Sequence, residues 1–426
     1  MDAGKKDIYK TSRGLYIVEA AVEYLIQILL EGAYIAKLSS AMGISDSLTG
    51  IITAIVQLGN TLQIVALFLA GKRPVKRWVT AGHITANLFF TLIYLCPFLK
   101  VGFGLRTFIF IALLLIGCFI HNIIQSPKIN WYMSLVDNDK RGRFTALKEM
   151  ISLFAGIVFS YAVGFVMDYF DAKGDINGSF VFCGIAVAVL SVSHALILLF
   201  SKEKPSEPIK LHVGENMKRI FSNKNGLVIV AAFLIYDLLR IPATSYAGAY
   251  QINELGFSMT FVSIISAVSS VVRAAISLPM GGFGDRHSFK KMVLMCLGIQ
   301  AAGFLCLFLA SPSNGKIMFS AYRILTAVAS SGLVGGVINL IYETVGEKLR
   351  TEFYALKMAV CGIAGFASTW AFSFLVSSVQ AKGNTFLGIN ICAEQILGLV
   401  ALIGTVANAI ILLFFLKDNG RNTVSE

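Results

Sequence analysis

Glu19 and Glu23 stand four residues apart inside one long apolar run, a spacing that puts both carboxylates on one face of a helix. Two carboxylates held close together away from water compete for ionisation and can share a proton, which is chemistry suited to proton coupling. Glu31 follows two turns further along a similar face. A second run carries Asp237 and Arg240 three residues apart, a spacing that allows an ion pair within one helix. Counted from Gly226 at 1.5 Å per residue, Asp237 lies ~16 Å along its helix, close to the middle of a bilayer. Arg273 sits at similar depth in the next run, placed to bind an anionic group or to join Asp237 in a charge network. Gln57, Asn60 and Gln63 recur at intervals of three, a pattern for lining a cavity or for bonding helices together. Charged groups in such runs are costly to insert, so they are functional candidates by default.

Other polar groups in apolar runs read more simply. Lys128 beside Pro127 is placed to snorkel to a membrane surface, and Arg323 likewise. Glu394 falls in the first turn of its run and reads as solvated. His121 and His194 read as hydrogen-bonded bundle residues before they read as a proton relay. The seven cysteines all lie in apolar stretches without a CxxC pair and read as small packing residues. No metal site, phosphate-binding GxxxxGK[ST] loop, HExxH or GxSxG motif is present in the sequence, so ATP drive, a cofactor and an enzymatic role are not expected.

The elements that must position these residues follow from composition. Of 426 residues, 56% are apolar and 14% charged, with a mean hydropathy of +0.74; an average soluble protein is about 25% charged. Lipid must therefore be the main solvent. Twelve runs are long enough to span a bilayer core, which takes about 20 residues each: 14–36, 47–70, 78–99, 107–134, 146–168, 179–200, 227–250, 259–282, 292–311, 317–341, 354–378 and 390–416. The connections are short except for the polar stretch from Ser201 to Gly226. This divides the chain into a six-helix bundle over residues 1–200, a linker over 201–226 and a second six-helix bundle over 227–426. With the N-terminus placed in the cytoplasm, the inside segments hold 26 basic residues and the outside segments six, so both ends are expected to be cytoplasmic. The net charge of +12 is then a topology signal facing anionic lipid and does not call for a nucleic-acid partner.

The halves repeat. Displaced by 209 residues, Phe144-Thr-Ala-Leu-Lys148 falls on Phe353-Tyr-Ala-Leu-Lys357, Arg141 on Arg350, and Ala155-Gly156 on Ala364-Gly365. An even number of helices per copy keeps both in one orientation, related by a pseudo-two-fold axis along the membrane normal, with substrate near the midplane.

Three stretches carry a family resemblance over nearly the whole chain. Gly281-Gly-Phe-Gly-Asp285-Arg286-His-Ser-Phe-Lys290-Lys291 resembles the GxxxDRxGRK loop that the major facilitator superfamily places between its eighth and ninth helices. The matching loop of the first half, Gly71-Lys-Arg-Pro-Val-Lys76-Arg77, has Lys72 in place of the acid. Pro127-Lys-Ile-Asn-Trp131, followed by Val136-Asp-Asn-Asp-Lys-Arg141-Gly142-Arg143-Phe144 with Asp137 in place of the second proline, is similar to a PxxxW…VPxxxRGR stretch of a bacterial branch described mostly as uncharacterised or multidrug-type. The resemblance implies an all-α polytopic membrane protein with twelve transmembrane helices in two bundles. It implies gates at the cytoplasmic loops, with Gly281, Asp285, Arg286, Arg141, Gly142 and Arg350 as gate residues. Asp285 would latch one state against the start of the fifth helix and Arg350. The fifth run, Phe154-Ala-Gly156-Ile-Val-Phe-Ser160-Tyr-Ala-Val-Gly164, lacks the proline of the antiporter signature.

The expected function is secondary active transport of a small molecule by alternating access, coupled to protons, by a functional monomer in a bacterial cytoplasmic membrane. Sugar or metabolite symport competes with drug-type export. A membrane-embedded lipid enzyme would need a clustered acidic or histidine motif at a membrane face, and a non-transporting sensor would want a long soluble appendage.

Overall fold

The computed structural model describes residues 8–62, 75–137, 141–204, 223–345 and 350–416. The helices are α1 (Lys10–Leu30), α2 (Gly32–Ala41), α3 (Asp46–Thr61), α4 (Val75–Ile93), α5 (Phe103–Met133), α6 (Arg141–Ala172), α7 (Ile176–Phe200), α8 (Lys224–Ala249), α9 (Met259–Arg286), α10 (Phe289–Leu309), α11 (Gly315–Thr344), α12 (Arg350–Ala381) and α13 (Ala393–Phe415). The protein is thus all-α and polytopic. Among the described residues nine helices, or the helical stretches within them, are long and apolar enough to cross a membrane. The remaining described helices are the rod made of α1 and α2, with α3 and α4. Strong apolarity with few charges drives each rod into lipid, where the helix satisfies its own backbone polar groups.

The first run was expected to be one helix, and it is broken. Glu31 is extended (φ −130°, ψ 165°), and Gly32 follows with φ +55°, a conformation that costs a residue with a Cβ about 1–2 kcal/mol. The helix then resumes as far as Ala41, so Lys37, placed by the sequence in an outer loop, is helical and pairs with Asp171 of α6. Elsewhere the ends obey local chemistry. The side chains of Asp175, Asn223, Ser258 and Ser288 accept from free backbone N–H groups at the starts of α7, α8, α9 and α10, as N-cap residues do. A short hairpin not foreseen in the sequence, β1 (Thr385–Phe386) with β2 (Ile389–Asn390), lies between α12 and α13.

Two compact units form. One comprises residues 1–42 and 62–211, the other 43–61 and 212–426. Helix α3 therefore packs within the second unit. There the ring of Tyr246 on α8 occupies the space a Cβ at Gly50 would take, and its hydroxyl donates to the carbonyls of Ser47 (3.1 Å) and Thr369 (3.3 Å). Ile241 of α8 fills the matching space at Gly365 of α12. In the first unit Tyr24 of α1 packs into Gly156 of α6 in the same way. Such close approach lets van der Waals contact hold helices together where lipid supplies no hydrophobic drive. At one end of the second unit Asp46 accepts from Asn253 (2.5 Å) and Gln380 (2.9 Å), and Asn384 donates to Glu254 (2.7 Å).

Candidate functional site

Among the described residues, each unit contains a buried cluster in which lysine and acidic side chains meet. In the first, Glu19 of α1 is fully buried and Glu23 nearly so. Their helical spacing turns both toward α5, where Lys128 is only 2% exposed. Its ammonium donates to Glu19 Oε1 at 2.8 Å and to Glu23 Oε2. The expectation that Lys128 snorkels to a surface is thus corrected: two carboxylates hold it inside. The drive is electrostatic, since a buried carboxylate with no cation costs several kcal/mol.

Three histidines complete the cluster. His194 Nε2 of α7 lies 2.7 Å from Glu19 Oε1, while its Nδ1 lies 3.0 Å from Asn87 Nδ2 of α4. With Asn87 donating, the neutral ring carries its proton on Nε2 and donates it to Glu19. His83 Nδ1 of α4 and His121 Nε2 of α5 flank Glu23 Oε1 at 4.0 and 3.8 Å. His83 also meets His121 and His194 edge-on, with ring centroids 5.6 and 4.9 Å apart. Glu23 Oε1, Glu19 Oε2, both nitrogens of His83 and Nδ1 of His121 are buried without a hydrogen-bond partner among the described residues. Buried polar groups are normally satisfied, so this arrangement has room for one more proton or cation. Glu23, His83 and His194 place one ligand atom each within 4.8 Å of one another, a donor set a divalent metal uses. The ammonium of Lys128 on Glu23 opposes a doubly charged guest, whereas a proton fits without displacing it.

The second cluster lies in the second unit. Asp237 of α8 accepts from Arg240 Nη2 (2.7 Å) and Nε (3.1 Å) on Oδ1 and from Lys357 Nζ of α12 on Oδ2 (3.3 Å). The pairing expected within α8 is present, but the further cation is Lys357, near the start of the run 354–378. Arg273 does not meet Asp237: it is exposed on α9. A cavity of about 300 Å³ opens over this group, lined also by Phe233, Tyr236, Ser330 and Tyr354. The guanidinium lies 5.1 Å from the ring of Tyr236 and the ammonium 5.3 Å from that of Phe233, distances of cation–π attraction. The repeat is visible in this detail, because Lys148, the counterpart of Lys357, lies 5.5 Å from the ring of Tyr16 on α1.

The other sequence candidates are dispersed. Gln57 and Asn60 of α3, Arg141 and Gly142 of α6 and Arg350 of α12 have surroundings outside the described residues, as do Gln63 and the stretch Gly71–Arg73. Gly281 is half-buried, and Asp285 and Arg286 form the exposed last turn of α9. Glu394 was expected to be solvated; it is 1% exposed at the start of α13. His83 and Asn87 escaped the sequence reading. The available signal was that three of the chain's five histidines fall in apolar runs of the first half.

The sequence matches the family model of the Major Facilitator Superfamily over residues 18–258 and again over 228–425. The chain belongs to the Major Facilitator Superfamily. It is a multi-pass membrane transporter and not an enzyme. Solved structures of the same fold include the nucleoside transporter NupG, with 14% identity, a TM-score of 0.71 and coverage of 93% of this chain and 99% of that one. A D-xylose–proton symporter follows at 14% identity, TM-score 0.70, with 96% and 98% covered. The Escherichia coli fucose–proton symporter FucP has 16% identity, TM-score 0.56, with 96% and 99% covered. None of the curated proteins matches the sequence significantly. For this member of the superfamily, the two repeats that the model matches correspond to the duplication read from Phe144–Lys148 and Phe353–Lys357.

Proposed function

We propose that this transporter moves a small polar metabolite by alternating access and couples the movement to protons. It works as a monomer in a bacterial cytoplasmic membrane with both chain ends in the cytoplasm. The observation that carries the reading is the cluster of Glu19, Glu23, Lys128, His83, His121 and His194. Two carboxylates share one ammonium, so with neutral imidazoles the cluster is one positive charge short. A proton on His83 or His121 supplies that charge and gives Glu23 Oε1 the donor it lacks. Asp237 already has two cations and needs no proton, so coupling is assigned to the first unit and substrate anchoring to the second. The charged anchor favours metabolite over drug-type transport. Two of the structural neighbours are sugar–proton symporters by name, and they support the same reading. Gly281, Asp285, Arg286, Arg141, Gly142 and Arg350 are assigned to the cytoplasmic gate by the loop motif.

The test is flux into proteoliposomes with an imposed pH gradient. Accumulation should collapse with an uncoupler. Glu23→Gln should abolish gradient-driven accumulation while leaving substrate exchange at equal pH on both sides. Accumulation that ignores both the uncoupler and Glu23→Gln refutes the coupling.

A further inference from the structure

Donors and acceptors around Asp237 do not balance, and the imbalance describes the guest. Asp237 has committed both oxygens, Oδ1 to Arg240 and Oδ2 to Lys357. Arg240 has spent Nε and Nη2 on one oxygen, so Nη1 keeps two N–H donors without a partner among the described residues. Lys357 has spent one of its three N–H groups. Two cations against one carboxylate leave a net charge of +1, and Arg240 is 28% exposed while Asp237 is 7% exposed. The acid is covered and the base presented. Around these donors the wall is largely apolar and aromatic, with Phe233, Tyr236, Leu333 and Tyr354. A planar guanidinium edge with free N–H groups matches the two oxygens of a carboxylate. A cavity of about 300 Å³ is at the lower end of the range for small-molecule sites.

We infer that the substrate is a small organic monoanion, a carboxylate with a compact apolar body, whose oxygens bind Arg240 Nη1 and Lys357 Nζ and whose body packs on Tyr236 and Phe233. The inference rests on the substrate-anchoring part of the function proposed above and specifies its class. It has one consequence for energetics: one proton travelling with one monoanion carries no net charge, so transport responds to a pH gradient and not to membrane potential.

The test is binding to the purified full-length chain in detergent, read by thermal stabilisation against ligand concentration. The probes are propionate, benzoate and 2-naphthoate, each beside its neutral amide, with benzylamine and D-xylose as the cationic and hydroxylated alternatives. At least one carboxylate should bind tenfold or more tightly than its own amide, and benzylamine should not bind. Lys357→Met should weaken that carboxylate by about tenfold to a hundredfold, the effect of losing one charge-assisted hydrogen bond, with little effect on the amide. Asp237→Asn removes the competing acid and should tighten the carboxylate. If Lys357→Met does not fold, the Asp237→Asn result decides. Amides or D-xylose binding as well as the acids, benzylamine binding best, no carboxylate binding at all, or weaker carboxylate binding in Asp237→Asn would each overturn the inference. These measurements involve no gradient. Failure of coupling therefore appears only in the flux experiment, and failure of the substrate class only here.

Discussion

Lys128→Met should be among the most damaging single substitutions in the first unit, and the loss should be recoverable by removing a second charge. Lys128 Nζ is 2.8 Å from Glu19 Oε1, with exposures of 2% and 0% for the two side chains. At an effective dielectric of about 20, a pair at that distance attracts by about 6 kcal/mol. Burying each ion costs several kcal/mol, so the intact pair adds little net stability. Cutting it is different, because Glu19 and Glu23 then keep their burial without their cation, which costs about 3–5 kcal/mol. Methionine preserves much of the length and bulk, so the loss is electrostatic rather than a cavity. Adding Glu19→Gln to Lys128→Met removes one stranded charge and should return stability to within about 2 kcal/mol of the parent, a coupling of the size seen for residues in one network. The assay is a double-mutant cycle by reversible unfolding of the purified protein in detergent or bicelles. A Lys128→Met loss under about 1 kcal/mol, or additive losses in the double variant, would show that the ammonium is not held by these carboxylates and would refute the cluster.

Three further outcomes test the fold. Gly50→Ala brings a methyl group against the ring of Tyr246 and should cost about 1–3 kcal/mol by overpacking, seen as a lower melting temperature. Gly32→Ala meets open space but keeps φ +55°; it should cost about 1–2 kcal/mol from backbone strain alone, and Gly32→Asn should cost less, because Asn tolerates that region. Glu394→Gln replaces a buried carboxyl whose oxygens have no hydrogen-bond partner among the described residues. It should therefore be neutral or stabilising in the same melting assay, and a loss above about 2 kcal/mol would show that the acid is paired.

Much of the architecture was legible in the chain because lipid imposes a strict rule: each rod must be about 20 residues long and largely apolar. That rule yields the all-α, polytopic fold. The duplication of Phe144–Lys148 in Phe353–Lys357 and the Gly281–Lys291 loop point to the superfamily. The pair Asp237–Arg240 was legible for a related reason, since neighbours on one helix are fixed by its period. The break at Glu31–Gly32 was not, because glycine within an apolar run is common and only packing selects its positive φ. Lys128 was misplaced because a lysine near a helix end has two destinations, a membrane surface or a buried acid, and the choice depends on which helix stands opposite. His83 was silent for the same reason. Its role requires Glu23 from α1, His121 from α5 and His194 from α7 to converge on it, and no spacing along the chain encodes that meeting. Sequence determined which rods exist and which charges they carry; tertiary packing alone decided which of those charges share a site, because a buried charge goes wherever a neighbouring helix offers its counter-ion.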